Sequence, residues 1–420
     1  LREGGRGGGD GAGRVRLRGA LVVSEFAVAL VLLAGAGLVL RSLTAMLRVD
    51  AGFDPARAVA MVISLRGTPA DAPARRAPFF AQVAERVRAL PGVEGAGFTN
   101  HLPLHGDTWR FGFLVEGRPA PRRDEAPSAV FRLVRPGYFR AMRLPVLAGR
   151  DVTAADEARG ARVVVVNERL ARRHWPGASA LGRRIALGDD PATADWFTVV
   201  GVVRNVQQGD WSQPTTEEMY FPVVAPAAGD TAARAAGVLN PSAMTLVVRT
   251  AGDPRAAAAR VEAVVHALDR DVPVADVITL EDAVAERVTQ PRFYVVLLGA
   301  FAALAVVLAA VGVYGVIAYS VARRTREIGI RLALGAAPGA PFRLVVGEGM
   351  RMALGGGAVG LAAALVATRW LRSLLFGVAP TDPATFGAAA LVLAAVALAA
   401  CSVPAWRASR VSPMAALRDG

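Results

Sequence analysis

The chain has 420 residues, 53% of them hydrophobic, and a mean hydropathy of +0.38. This hydropathy is high for a water-soluble protein and low for a chain made only of membrane helices, so the composition predicts a mixed architecture. The net charge is +13, and all 48 basic residues are arginine. These arginines are dispersed or lie beside apolar runs and do not form one basic face, which argues against nucleic-acid binding.

The only cysteine, Cys401, lies within the last apolar run. A single cysteine excludes an intrachain disulfide and a cysteine-based metal site. The long segment between the first and second apolar runs is large enough to bury a hydrophobic core without covalent crosslinks.

The first apolar run covers residues 19–40 and follows a basic segment, residues 1–18. It is long enough for a helix to cross a bilayer. It also exceeds the apolar core of a signal peptide, and no clear cleavage motif closes it before Arg41, so we expect a retained membrane helix. Glu25 is an intramembrane polar residue in this helix. It either contacts another helix or reaches to the membrane interface, and the sequence leaves both possibilities open.

The two ends of the chain carry similar tetrapeptides. Residues 1–4 are Leu-Arg-Glu-Gly, residues 417–420 are Leu-Arg-Asp-Gly, and the first residue is not methionine. A tandem duplication would explain the similarity if a preceding copy of the same unit ended in a tetrapeptide like residues 417–420, because residues 1–4 would then be the end of that copy. The hypothesis is that the chain is the second half of a duplicated protein, and a chance match of four residues is the alternative.

Residues 41–292 have globular composition and predict a mixed α and β domain. Helical spacing and breakers predict helices at residues 78–90, 168–174 and 255–268. Apolar and β-branched runs predict strands at residues 58–65, 130–134, 162–166, 197–203 and 244–249. Residues 163–166 are continuously apolar, as in a buried strand, and Asn167 is placed to cap the helix that follows.

The same domain divides into two predicted lobes. The first lobe combines residues 50–130 with residues 243–290, and the second lobe is inserted between them. Residues 225–240 are rich in alanine, glycine and proline and indicate a loop or linker.

Catalytic and metal-binding motifs are not evident in the sequence. His101 and His105 are four residues apart near Asp107, a spacing that allows a shared metal on a helix, but Pro103 between them favours a loop with hydrogen-bonded surface histidines. The sequence has no Gly-x-Ser-x-Gly motif and no Gly-x-x-x-x-Gly-Lys phosphate loop. We therefore expect no catalytic residues, no metal, no cofactor and no ATP hydrolysis by the chain itself.

Three further membrane helices are predicted at residues 293–319, 345–368 and 384–406. The third of the four helices contains two further intramembrane polar residues near its start, Glu348 and Arg351, at a spacing that allows an ion pair on one face. Glycines at 355–357 and 360 follow, and small residues let membrane helices approach closely. We expect a packed helix face there.

Arginines in short loops mark the cytoplasmic side of a membrane protein. The N-terminal segment 1–18, the loop 320–344 and the tail 407–420 are the basic segments, whereas the loop between the third and fourth helices carries only Arg369 and Arg372. With four membrane crossings, all three basic segments fall on one side. Both termini are therefore expected in the cytoplasm, with residues 41–292 outside it.

The basic loop 320–344 contains a short amphipathic element. At helical spacing Arg324, Glu327 and Arg331 share one face, and Glu327 and Arg331 are placed to pair. The element either rests its apolar side on lipid or docks a cytoplasmic partner, and the residues alone do not choose between the two.

Several motifs resemble the MacB/FtsX-like family of ABC transporter permeases. Residues 326–331 (Arg-Glu-Ile-Gly-Ile-Arg) with Leu-Gly-Ala at 334–336 look like its signature loop, and the tail 404–418 resembles its C-terminal motif. The first helix is similar at three places, residues 21–25, 36–38 and 41–43. The outer domain is similar at residues 166–168, 175–177, 182–183 and 200–203. The resemblance covers almost the whole chain and is closest to the duplicated orphan permeases.

The resemblance implies an α-helical membrane protein with four transmembrane helices and a large α+β two-lobed extracytoplasmic domain, MacB-like and periplasmic, between helices 1 and 2. Residues 293–413 correspond to the FtsX-like permease domain. The location implied is the bacterial inner membrane, as a multi-pass protein.

The implied function is that of a permease subunit of an ABC-type efflux or mechanotransmission transporter, in which a separate cytoplasmic ATPase binds and hydrolyses ATP. Its docking residues would be Arg324, Arg326, Glu327, Gly329, Arg331 and Gly335. The further partners implied are a second permease unit, as a homodimer or as the other half of a duplicated chain, and a periplasmic protein. The alternative is an FtsX-like signalling scaffold that activates a periplasmic enzyme.

Overall fold

A computed structural model describes residues 9–48, 50–105, 108–119, 127–188, 194–208, 215–224, 238–324 and 339–409. The chain divides into two compact units. The membrane unit comprises Leu1–Arg48 and Val288–Gly420, and the outer unit comprises Val49–Arg287. Helices and strands are numbered below in the order in which they occur among the described residues.

In the part of the chain that the structure describes, the membrane unit contains four long helices: α1 (Gly9–Met46), α7 (Leu280–Arg323), α8 (Gly339–Trp370) and α9 (Pro383–Ser409). Each contains a stretch long and apolar enough to cross a membrane, namely Gly19–Met46, Thr289–Arg323, Phe342–Trp370 and Pro383–Arg407. The four helices expected from hydropathy are therefore present.

The helices differ from the predicted runs mainly at their ends. The prediction ended the first helix at residue 40 and began the second at residue 293, whereas α1 continues to Met46 and α7 begins at Leu280. Hydropathy identifies only the part of a helix that is apolar enough to lie in the hydrocarbon core of a membrane. The helix itself continues beyond that part wherever backbone hydrogen bonding and capping allow.

Glycines of α8 set its close packing on α1. A Cβ atom at Gly360 would lie 2.8 Å from Ala27 Cα and 3.0 Å from Leu30 Cβ, and one at Gly356 would lie 2.8 Å from Val23 O. Small residues let helix backbones approach where lipid offers no hydrophobic driving force. The packed face expected from the glycine run thus lies against α1.

The outer unit is built on strands that form one eleven-stranded sheet among the described residues. Their bounds are β1 Ala58–Ser64, β2 Val93–Thr99, β3 Arg110–Val115, β4 Ser128–Val134, β5 Val146–Gly149, β6 Val163–Asn167, β7 Arg184–Leu187, β8 Asp195–Val203, β9 Glu218–Pro222, β10 Ala243–Thr250 and β11 Val274–Thr279. The α-helices of this unit among the described residues are α2 Pro73–Arg88, α3 Tyr138–Met142, α4 Ala154–Ala158, α5 Glu168–His174 and α6 Pro254–Leu268.

The sheet has two sections. The first has the order β11-β1-β10-β2, with antiparallel pairing throughout, and the second contains β4, β3, β7, β8, β6 and β9, with β5 on β8. The sections meet at β2 and β4, which pair at Thr99 and Val134. Because both sections belong to one continuous sheet, the two-lobed division remains a prediction.

Helices α2 and α6 cover the first section with apolar side chains. Phe80, Val83 and Val87 of α2 and Val261 and Val265 of α6 are fully buried in the same hydrophobic cluster as the strands. Their spacing of three and four residues is that of one apolar helix face. The prediction began α2 at residue 78, but the helix begins at Pro73, because the proline that suits the first turn is Pro73 and not the Pro78 of the interior.

Two local predictions are confirmed around β6. All of Val163–Asn167 is buried, and β6 pairs with β8 on one side and β9 on the other. The Asn167 side chain accepts a hydrogen bond from Leu170 N at 3.0 Å and so caps α5.

Strand β2 was missed by the sequence analysis for a physical reason. It carries Gly95 and Gly97, and glycine weakens an isolated strand signal. A Cβ at Gly97 would collide with the backbone of Gly137 and Tyr138. The glycine is therefore required by the close approach of the segment that begins α3.

Candidate coupling path

The chain that follows α1 is fixed to the segment that follows β8. Gln207 N donates to Ala51 O at 3.0 Å, and the Arg204 guanidinium lies 3.3 Å from the Asp50 carboxylate. Gly52 has a φ of +84°, and a Cβ there would collide with the Asn205 carbonyl. The exposed ion pair contributes little to stability. The attachment therefore depends mainly on the backbone hydrogen bond and on the glycine at position 52.

The start of α7 is fixed to a loop after β2. Arg287 Nε donates to Leu104 O, and His105 Nδ1 lies 3.6 Å from the Glu286 carboxylate. Glu286 and Arg287 belong to the helix that continues as the second apolar span. This loop therefore holds the first turns of that helix.

The two attachments are connected to each other. Leu104 N donates to Gln208 O at 3.1 Å, and Leu104 is 1% exposed while Gln208 is 6% exposed. We call residues 50–52, 104–105, 204–208 and 286–287 the linker clasp. The segment that follows α1 thus contacts residues 204–208 directly, and the start of α7 is connected to the same stretch through Leu104.

A buried polar network lies directly under the clasp. The Gln208 side chain accepts from Arg132 Nη2 and donates to Glu218 Oε2 at 2.8 Å, and Tyr220 OH donates to the same Glu218 oxygen. Burial raises the pKa of Glu218 to about 7, although Tyr220, Arg132 and Gln208 favour its ionised form. Among the described residues, Arg132 Nε and Nη1 and Glu218 Oε1 are buried without a hydrogen-bond partner.

A buried ion pair lies at α4 of the outer unit. Arg135 Nη2 is 2.7 Å from Glu157 Oε2, and both side chains are largely buried. Burial raises the pKa of Glu157 to about 7, against the opposing effect of Arg135 and Arg88. Buried pairs of this kind make the interior sensitive to loss of either partner.

A cavity of about 500 Å³ opens beside the first section of the sheet. Its lining includes Ala60, Val62, Arg66, His101, His105 and Trp109. The His101 ring packs edge-on against Trp109 with centroids 4.6 Å apart. His101 and His105 thus line a cavity wall, and no group of three metal-ligating side chains occurs in the part of the chain that the structure describes.

In the membrane unit, Glu25 lies against α7. A Cβ at Gly312 would collide with the Glu25 carboxylate, and Glu25 Oε2 is buried with no hydrogen-bond partner among the described residues. Of the two alternatives left by the sequence, this geometry favours contact with another helix.

Glu348 of α8 meets the end of α7. Its Oε2 lies 3.4 Å from Ser320 Oγ and 3.5 Å from Arg324 Nη1. The sequence analysis allowed a pair with Arg351, but that side chain is exposed, and Glu348 is instead paired across helices with Arg324. The other predicted coupling residues, Arg326, Glu327, Gly329, Arg331 and Gly335, lie outside the described residues.

One polar contact of the membrane unit was missed entirely. Arg41 at the end of α1 pairs with Asp382, whose Oδ2 also accepts from Thr385 N at 2.9 Å and Thr385 Oγ1 at 2.6 Å. Phe376 N donates to Ser42 Oγ at 2.8 Å. The sequence Asp382-Pro383 did offer a signal, because an acid followed by proline is a common helix start.

Both units of the chain are similar to known protein families. Residues 20–264 match the MacB-like periplasmic core domain, and residues 299–413 match the FtsX-like permease C-terminal domain. The chain therefore belongs to the MacB/FtsX-like family of ABC transporter permeases. With its four apolar helices, it is a multi-pass membrane protein.

Individual relatives agree with this family. The chain is 30% identical over 278 residues to the pyoverdine export ATP-binding/permease protein PvdT of Pseudomonas putida, a match that covers 65% of this chain and 40% of PvdT. It is 28% identical over 287 residues to the macrolide export ATP-binding/permease protein MacB of an Azoarcus species, covering 67% and 41%. It is 26% identical over 246 residues to the uncharacterized ABC transporter permease YknZ of Bacillus subtilis, covering 59% of each. The chain thus spans about two fifths of the length of the first two relatives.

Proposed function

We propose that the chain is the permease subunit of an efflux transporter in which ATP hydrolysis by a separate cytoplasmic ATPase moves the outer unit. The linker clasp is the observation that carries this proposal. The segment after α1 contacts residues 204–208 directly, and the start of α7 is connected to them through Leu104. Displacement of either helix would therefore be transmitted to the same segment. Rigid-body movement of packed elements is a common way to transmit such displacements.

Export is the direction of transport we propose. Two relatives are named for export, of pyoverdine in one case and of macrolides in the other. These names favour an exporter over a signalling scaffold that activates a periplasmic enzyme. We place substrate handling in the outer unit, where the cavity of about 500 Å³ falls in the size range of small-molecule sites.

The proposed location is the bacterial inner membrane, with both termini in the cytoplasm and the outer unit on the opposite side. Support comes from arginine, which is concentrated in the segments 1–18, 320–344 and 407–420. We also propose that the sheet sections move as two lobes, since they join mainly at β2 and β4.

A second permease unit is part of the proposal, as a homodimer or as the other half of a duplicated chain. In the apolar stretch of α7 only 11% of the residues are buried, whereas 50% are buried in the apolar stretch of α1. This leaves an apolar helix face available to lipid or to a second unit. A partner in the periplasm is a further expectation from the family resemblance.

ATPase docking is proposed at the loop that follows α7, through Arg324, Arg326, Glu327, Gly329, Arg331 and Gly335. ATP would be bound by the partner subunit, and the chain would contribute no catalytic residue. The test is co-purification of the full chain with its ATPase and measurement of ATP hydrolysis in the complex. A chain carrying Glu327→Ala and Arg331→Ala should be made normally but lose co-purification and stimulation.

The matched control for this test is Arg343→Ala, which removes an exposed arginine from α8 and should leave both readouts unchanged. Normal stimulation by the double variant would contradict the docking role. Equal loss in the control would show a general effect of charge instead of a docking site.

A further inference from the structure

A cavity of about 320 Å³ lies between the end of α7 and the N-terminal half of α8. Its polar lining is Tyr319, Ser320, Arg323 and Arg324 from α7 and Glu348 from α8. Two apolar side chains, Val316 and Met352, complete the lining. The cavity therefore has a charged side and an apolar side.

The depth of this cavity in the membrane follows from the helices that form it. One apolar span ends at Arg323 and the next begins at Phe342. Side chains at such span ends lie where the hydrocarbon gives way to lipid headgroups. Tyrosine and arginine at this level present apolar stems to the acyl chains and polar ends to the headgroups.

The charges of the cavity do not balance. Glu348 is 3.5 Å from Arg324, an ion pair whose side chains are 33% and 48% exposed. The Arg323 guanidinium lies over the Tyr319 ring, 5.9 Å from its centroid, and pairs with no carboxylate among the described residues. Two arginines against one glutamate leave one net positive charge.

We propose that this cavity binds the headgroup of an anionic phospholipid. The phosphodiester would lie between Arg323 and Arg324, and the first acyl carbons would contact Val316 and Met352. Arginine recognises phosphate through paired N–H donors, and basic pockets between membrane helices are suited to anionic headgroups. The net positive charge selects a lipid with a net negative charge over a zwitterionic one.

The test is native mass spectrometry of the full chain in detergent titrated with dioleoylphosphatidylglycerol. We expect each arginine that contacts the phosphodiester to contribute about 1 kcal/mol, or about a fivefold change in affinity. Arg323→Ala with Arg324→Ala should therefore weaken binding about 25-fold. The control is Arg407→Ala, which removes an exposed arginine at the end of another apolar span, outside this cavity, and should change affinity by less than about twofold.

For Glu348→Gln the proposal predicts tighter binding, an effect that misfolding would not produce. Removing the carboxylate charge raises the net charge of the cavity by one, so phosphatidylglycerol should bind about five times more tightly. Weaker or unchanged binding by this variant would overturn the proposal. So would an equal loss of binding in the Arg407→Ala control.

Two further ligands identify what the cavity recognises. Dioleoylphosphatidylcholine shares the phosphodiester but has no net charge, and it should bind at least about fivefold more weakly than phosphatidylglycerol. Soluble glycerol phosphate lacks acyl chains and should not displace the lipid at equal concentration. Equal binding of phosphatidylcholine, or displacement by glycerol phosphate, would overturn the assignment to an anionic lipid.

Discussion

The two units of the chain use polar side chains in opposite ways. The outer unit buries ionisable groups in its interior, as in the Arg132–Gln208–Glu218 network and the Arg135–Glu157 pair. The membrane unit places its ion pairs at helix ends, with Arg41–Asp382 at one pair of ends and Arg324–Glu348 at another.

The difference follows from the surroundings of each unit. In lipid, helix contacts depend on close packing of small residues, and charged groups are least unfavourable near the headgroups. In a water-surrounded sheet, an apolar core supplies enough stability to tolerate buried charges whose partners are fixed. We therefore expect the outer unit to respond to pH and the membrane unit to respond to side-chain volume.

The largest expected effect is at Gly97 in the outer unit. Gly97→Ala would place a Cβ against the backbone of Gly137 and Tyr138, which forces β2 and α3 apart. We expect a loss of about 4 kcal/mol or more in the free energy of unfolding, measured by urea unfolding of the full chain in detergent. Gly112→Ala is the control, because no atom lies within 4 Å of a Cβ there. Equal stability of the two variants would contradict the packing described.

The pH response of the outer unit should depend on Glu218. Burial raises the pKa of Glu218 from its ordinary value of 4.5 to about 7 in the folded protein, so between these values the folded state holds a proton that the unfolded state has lost. Stability therefore falls as pH rises through this window, by roughly 3 kcal/mol for this group.

Glu218→Gln should remove that part of the pH dependence, as measured by urea unfolding of the full chain at about pH 5 and about pH 8. Glu116→Gln changes an exposed glutamate paired with Arg184 and is the control. The same change in stability between about pH 5 and about pH 8 in wild type and Glu218→Gln would show that Glu218 is already ionised in the folded protein at about pH 5.

In the membrane unit, the helix contact at Gly360 should be sensitive to volume. Gly360→Ala would place a Cβ within 3.0 Å of Ala27 and Leu30, and overpacking of this kind costs about 1–3 kcal/mol. Gly357→Ala is the matched control, because its Cβ would meet open space. In detergent, Gly360→Ala should unfold at a lower temperature than Gly357→Ala. Identical thermal unfolding curves for the two variants would contradict the α1–α8 packing.

The smallest effect is expected at the Arg41–Asp382 pair. The Arg41 side chain is 50% exposed, so we expect Arg41→Ala to lower the free energy of unfolding by less than about 1 kcal/mol. Arg48→Ala removes the same charge from a nearby exposed position and should have no measurable effect. A loss of several kcal/mol at Arg41 would mean that membrane-end ion pairs stabilise this unit as strongly as buried ones.

The sequence predicted the membrane helices better than the sheet. Hydropathy over about 20 residues is a local property, and it located all four apolar helices while missing their extensions. Strand β2 depends on glycines that only its neighbour α3 explains, and β5 and β7 are too short for an alternating pattern to stand out.

The candidate site was less predictable for a related reason. Arg132 is far in the chain from Gln208 and Glu218, and the pairing of β4 with β9 brings Arg132 and Glu218 close together. The clasp likewise needs Leu104 and Gln208 to be neighbours in space. By contrast, Asp382 could have been recognised as a helix cap from its own sequence context.

The contrast between a membrane unit and an outer unit is tested most directly by cysteine labelling. Cys401 is the only native cysteine, so Cys401→Ser provides a background in which one new cysteine can be followed. A membrane-impermeant maleimide applied to intact cells should label Ala148→Cys, at an exposed position of the outer unit, and should label Arg343→Cys only after lysis. Labelling of Arg343→Cys in intact cells, with Ala148→Cys protected until lysis, would contradict the account.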